Sequence, residues 1–124
     1  MKATIYGVQE SRVTREVIPE PDWKKFSSYD GKTLVLVDLV ELRSVRNAEL
    51  QMVRIRRDGH FVMHSSPDVA FCQIVAGRGS LILPGNQIVG YNAPELYVFM
   101  PGSLHEWSDI QEDTLLSVCL VRQT

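Results

Sequence analysis

The 124-residue sequence predicts an all-β fold, a barrel or sandwich of short antiparallel strands. Three observations carry this. β-branched and leucine-rich runs of strand length recur from Lys32 onward. Clusters of turn-forming residues separate them. No stretch after residue 30 sustains the 3.6-residue period of an amphipathic helix.

Residues 1–30 are the least regular part. They carry Gly7, Pro19, Pro21 and scattered charges with little periodicity. This segment is expected to be an arm that packs on the barrel or on a partner subunit, with a short helical turn between Glu10 and Arg15. The barrel domain is expected to span 31–124. Its first strand is Thr33–Val40, and the next is the alternating run Ala48–Arg56. A turn is expected at Asp58-Gly59. Further strands fit Phe61–His64, Ala70–Ala76, Ser80–Leu83, Gln87–Tyr91, Leu96–Met100 and Thr114–Val121. Between them stand Ser65-Ser66-Pro67-Asp68, Gly77-Arg78-Gly79, Pro84-Gly85-Asn86, Asn92-Ala93-Pro94 and Pro101-Gly102-Ser103.

Composition narrows the function classes. The chain is 44% hydrophobic and 23% charged, with a net charge of −2. It lacks the basic stripe of a nucleic-acid binder, and Arg54 to Arg57 reads as a solvated strand face. Direct nucleic-acid binding is therefore not expected. Cys72 and Cys119 give no disulfide framework. The first residues show no apolar core of a signal peptide, and no apolar run approaches the ~18 residues of a membrane span. The expectation is a cytoplasmic protein with reduced thiols and no membrane contact.

The segment from Gly59 to Val121 resembles the cupin superfamily. The first cupin motif is matched by Asp58-Gly59, His64-Ser65-Ser66, Ala70 and Gly77-Arg78-Gly79. The second is matched by Pro94-Glu95 and by Met100-Pro101-Gly102-Ser103-Leu104-His105, with Trp107 and Asp109 following. The resemblance implies a double-stranded β-helix, or jelly-roll, barrel. It also implies a site of three histidines and one glutamate around Fe, Mn, Ni, Zn or Cu. Carried over by position, His64 matches the first histidine and His105 the last. Ser66 stands at the second histidine and Ala70 at the glutamate. Two imidazoles alone hold a metal poorly, so the expectation is no divalent transition metal or a weakly held one.

Two other residues are candidate ligands. His60 has the strand parity of His64, and Cys72 has the parity of Ala70. A Cys72 thiolate with His64 and His105 would form a soft site. The preferred readings are plainer: a surface histidine beside a turn, and a small buried hydrophobe. The ligand pocket is expected to include Met63, Ser66, Cys72, Tyr97 and Trp107, with Phe61, Phe71, Phe99 and Met100 as further wall or core residues.

Three function classes follow. The first is a metal-independent or weakly metal-dependent small-molecule binder or isomerase, epimerase or lyase-like enzyme that uses His64 and His105. The second is a metalloenzyme with a rearranged His/Cys shell. The third is a non-catalytic sensor or scaffold. Uncovered strand edges and an apolar sheet face lead to the expectation of a homodimer.

Overall fold

The computed structural model describes residues 1–123. All its regular elements are strands: β1 (Ala3–Gln9), β2 (Arg12–Ile18), β3 (Lys24–Lys25), β4 (Ser28–Tyr29), β5 (Lys32–Thr33), β6 (Val35–Ser44), β7 (Ala48–His64), β8 (Val69–Leu83), β9 (Gln87–Asn92), β10 (Glu95–Phe99) and β11 (His105–Val121). The main sheet runs β10-β8-β11-β7-β6-β3, and β9 also pairs with β8. Every pairing is antiparallel.

Three strands are long enough to serve both faces of the barrel. The first half of β8 pairs with β10, and its second half pairs with β9. β11 follows β8 and β7 with breaks in register between Ser108 and Thr114. The corners lie at Asp58-Gly59, at Gly77 and at Asp109. The sequence reading placed a turn at Asp58-Gly59 and a break at Gly77-Arg78-Gly79. The structure corrects both: each is a corner inside one continuous strand. The reason is close packing at the corner. Gly77 has φ +104°, and a Cβ there would stand 2.6 Å from the Asp113 carbonyl oxygen. Only glycine lets the strand turn there while β11 passes so near.

The core lies between the two sheet halves. Val53, Ile55, Ala70, Cys72, Ile74, Leu116 and Val118 face inward from one half. Phe61, Leu81, Tyr91, Trp107 and Ile110 face them from the other. Tyr91 is sealed in this core, so its hydroxyl needs a partner, and it shares a 2.6 Å hydrogen bond with the Thr114 hydroxyl.

The arm is more ordered than its composition suggests. β1 and β2 form a hairpin in register from Ala3–Ile18 to Gln9–Arg12. The expected helical turn at Glu10–Arg15 is not formed. Glu10 and Ser11 both take positive φ, which is the geometry of a two-residue hairpin turn, and β2 starts at Arg12. Glu16 is paired with Arg43 on β6. Farther along, β3 joins the main sheet against Leu39 and Asp38, and the Phe26 amide donates to the Val37 carbonyl at 2.8 Å. Residues 24–29 thus pack along the barrel and carry Phe26 and Tyr29 to its mouth.

Candidate functional site

A cavity of about 130 Å³ opens between the two sheet halves. His64, His105, Ser66, Cys72 and Trp107 line it together with Gln51, Val53, Phe61, Ala70, Leu116 and Val118. Phe26, Tyr29, Leu39 and Leu120 complete the wall.

The two histidines come from strand ends paired with each other, His64 closing β7 and His105 opening β11. Their ring centroids are 4.3 Å apart. His64 Nδ1 is 2.7 Å from the Val62 carbonyl, and His105 Nδ1 is 3.0 Å from the Ser103 carbonyl. A carbonyl only accepts, so each Nδ1 carries the proton and donates it. Each Nε2 is left with a lone pair. Each ring also rests on a phenylalanine: Phe61 stacks on His64 at 4.2 Å and Phe99 on His105 at 3.7 Å. This burial lowers the pKa of both histidines. His105 falls to about 4, through desolvation first and repulsion from His64 second. His64 moves the same way, again chiefly by desolvation. Both rings are therefore neutral near pH 7.

Cys72 lines the cavity as its parity implied, and burial pushes its thiol up to about 12. Ser66 Oγ accepts a hydrogen bond from the Asp68 amide at 3.0 Å.

His60 does not share the facing of His64 that strand parity alone implied. Its register with His64 is broken by one extra residue: Phe61 pairs with Trp107, but His64 pairs with His105. This bulge turns both Phe61 and His64 inward and leaves His60 outside. There His60 Nε2 meets the Glu106 carboxylate. Met63 is not among the residues that line the cavity, because it directly precedes the inward His64 and neighbouring side chains of a strand alternate. Tyr97 also falls short of it. Its ring packs edge-on against Trp107 at 6.1 Å, and its hydroxyl donates to Glu95 at 3.1 Å. Phe71 and Met100 face solvent, at 40% and 61% exposure, rather than forming wall or core. Phe26 and Tyr29 were missed because an irregular segment gives no parity from which to read facing.

No family model matches the chain, and no curated protein matches it in sequence. Solved structures do. The Cnp3 cupin domain of Schizosaccharomyces pombe superposes with a TM-score of 0.74 at 6% identity, covering 98% of this chain and 88% of that one. The chain has the cupin fold. A cupin-2 domain from Rhodospirillum rubrum matches with a TM-score of 0.68 at 16% identity, over 84% of this chain and 72% of that one. The polyketide cyclase RemF from Streptomyces resistomycificus matches with a TM-score of 0.65 at 14% identity, over 73% and 68%. At these identities the likeness speaks to fold alone.

The cupin metal pattern does not fit the donors in this barrel. Of its four positions, two hold His64 and His105, and the others hold Ser66 and Ala70. Alanine offers no donor, and serine is a feeble one. Cys72 would have to lose a strongly held proton to bind as thiolate. Among the described residues, no three of His, Cys, Asp and Glu converge. No helix is long and apolar enough to cross a membrane.

Proposed function

We propose that this cupin barrel binds a small organic molecule in the cavity between its sheet halves, and that binding does not require a metal. The observation that carries the reading is the pair of neutral imidazoles presented on an otherwise largely apolar wall. Such a combination of apolar lining with few convergent polar groups is the usual make-up of a ligand site. The pair also suits proton transfer. A neutral Nε2 takes a proton from a bound acid, and the imidazolium so formed stays beside the anion it leaves. Isomerase, epimerase or lyase-type chemistry fits this arrangement, and the fold it shares with a polyketide cyclase is compatible with it. The test is NMR of the imidazole resonances in chelator-treated protein titrated with a small-molecule library. Shifts in both His64 and His105 are expected. Ligands that shift neither, or that bind only after metal is added, would refute the reading.

We also propose that the chain pairs with a second copy through the outer face of the β10-β8-β11-β7 sheet. Val98, Phe71, Cys119 and Leu50 lie in register across it, with Leu96 and Met100 alongside. Phe71 is 40% exposed and Leu96 62%. Together with Leu50, Val75, Val98 and Met100 they leave an apolar patch exposed on this face, a fitting centre for an interface. The β1-β2 hairpin carries a second apolar stripe, Tyr6, Val8, Val13 and Val17, on one face. A two-stranded hairpin is marginal without a surface to pack on.

A further inference from the structure

We propose that the cavity selects an uncharged molecule the size of a single ring that carries hydroxyl groups. The proposal rests on the reading of the cavity as a metal-independent small-molecule site, and it specifies what that site takes.

The first observation is the fixed tautomer of both histidines. Because each Nδ1–H donates to a backbone carbonyl, the two Nε2 atoms can only accept. Among the described residues, no side-chain nitrogen or oxygen sealed from water lacks a hydrogen-bond partner. Neither Nε2 has a partner within the protein, so both must open onto accessible space. His105 is only 4% exposed overall, and the space it reaches is the cavity it lines. Two acceptors on rings 4.3 Å apart therefore wait on one wall.

The second observation is the absence of charge. Among the described residues no Lys, Arg, Asp or Glu lines this cavity; the nearby Lys32 ammonium, whose charge reaches His64, donates instead to the Met63 carbonyl at 3.1 Å. A carboxylate would meet two lone pairs and no cation on the wall, and an ammonium group would lose its hydration with no carboxylate to replace it. Either ion is disfavoured. A plain hydrocarbon is disfavoured for another reason, because it would cover the two acceptors without satisfying them. A hydroxyl group meets both requirements. It donates to Nε2, and its oxygen can accept from Ser66, whose Oγ is bonded through its lone pair to the Asp68 amide and keeps its own O–H free.

Size gives the third limit. The volume of about 130 Å³ is close to the roughly 150 Å³ of an engineered apolar cavity that holds benzene. Phe61 and Trp107 add aromatic rings to the wall around such a ring.

The experiment uses the full chain, freed of metal with chelator, at pH 7.5. Catechol, benzoate, benzylammonium and toluene are titrated by calorimetry, with the His64 and His105 imidazole resonances followed by NMR. Catechol is expected to bind at least tenfold tighter than the other three and to shift both histidines. His64→Phe and His105→Phe keep an aromatic ring but remove the acceptors, and each is expected to erase this preference. Should either variant fail to fold, the ranking of the four probes on the unaltered protein still decides. Benzoate, benzylammonium or toluene binding as tightly as catechol would overturn the selectivity and leave the cavity reading intact. Catechol binding only after zinc is restored would overturn both, as would no shift from any probe.

Discussion

His64 and His105 are held in the same way from opposite strands. Each donates its Nδ1–H to the carbonyl two residues before it, Val62 for one and Ser103 for the other. Each stacks on a phenylalanine, and the rings stand 4.3 Å apart. This repeated arrangement fixes ring orientation, tautomer and charge together. It leaves two proton-accepting nitrogens in an uncharged cavity.

The buried histidines make stability depend on acidity. His105 falls to about 4 in the fold from an ordinary value of 6.5. Between those values the unfolded chain takes up a proton that the folded chain refuses. Stability is therefore expected to fall as pH drops from about 6.5 to 4, by a few kcal/mol at most for a shift of this size. His64 acts in the same direction. Urea midpoints at pH 7.5, 5.5 and 4.5 measure the effect, and His105→Phe is expected to flatten the profile. An unchanged slope in that variant would assign the pH dependence to other groups.

Gly77 is expected to be the least replaceable glycine. A Cβ there meets the Asp113 oxygen and the Thr114 side chain at 2.6 Å, on a backbone with φ +104°. Gly85 also has positive φ but nothing within 4 Å of its would-be Cβ. Gly85→Ala is expected to cost about 1 kcal/mol from conformation alone, and Gly77→Ala several-fold more because β11 must move. Thermal melts of the two variants compare them directly. Equal losses would contradict the packing account of the corner.

Tyr91→Phe removes one side of a sealed hydroxyl pair. Thr114 Oγ1 keeps its bond to the Glu112 carbonyl at 3.0 Å, so no buried donor is stranded. The expected loss is about 1 kcal/mol. Tyr91→Ala empties a site that is 2% exposed and is expected to cost about 3–5 kcal/mol. Chemical denaturation separates these magnitudes.

Charge placed on the outer sheet face tests the second-copy interface. Phe71→Glu with Val98→Glu puts two like charges side by side, since these residues pair across β8 and β10. Light scattering on a sizing column is expected to give a dimer for the parent chain and a folded monomer for the variant. A parent chain that runs as a monomer at micromolar concentration would refute the interface.

Zinc loading gives a separate check on the donor set. After incubation with zinc and gel filtration, well under one equivalent is expected to remain. One tightly held equivalent, lost in Cys72→Ser, would restore the thiolate-containing shell.

The all-β class was legible in the sequence because strand parity and turn composition are local properties. Ala70, Cys72 and Ile74 alternate with Phe71, Gln73 and Val75, and the structure buries the first three. The inward facing of Trp107 followed from its parity with His105, whose own facing the cupin resemblance implied. Parity failed where spacing was broken by contacts from elsewhere. The bulge between Phe61 and His64 exists only through pairing with β11, and it breaks the parity that would have turned His60 inward with His64. Asp58-Gly59 and Gly77 read as ends because glycine marks turns and strand corners alike, and only the close approach of another strand tells them apart.

The sequence by itself determined an all-β chain of short strands, a barrel by its cupin resemblance, and the survival of His64 and His105 where Ser66 and Ala70 replace the other two ligands of the cupin pattern. The tertiary structure alone decided what the surviving pair is. Carbonyls two residues upstream set the tautomer, phenylalanine rings remove water, and strands distant in sequence bring the imidazoles together without a charged neighbour on the wall. Those are properties of three-dimensional surroundings, and no local pattern of residues encodes them.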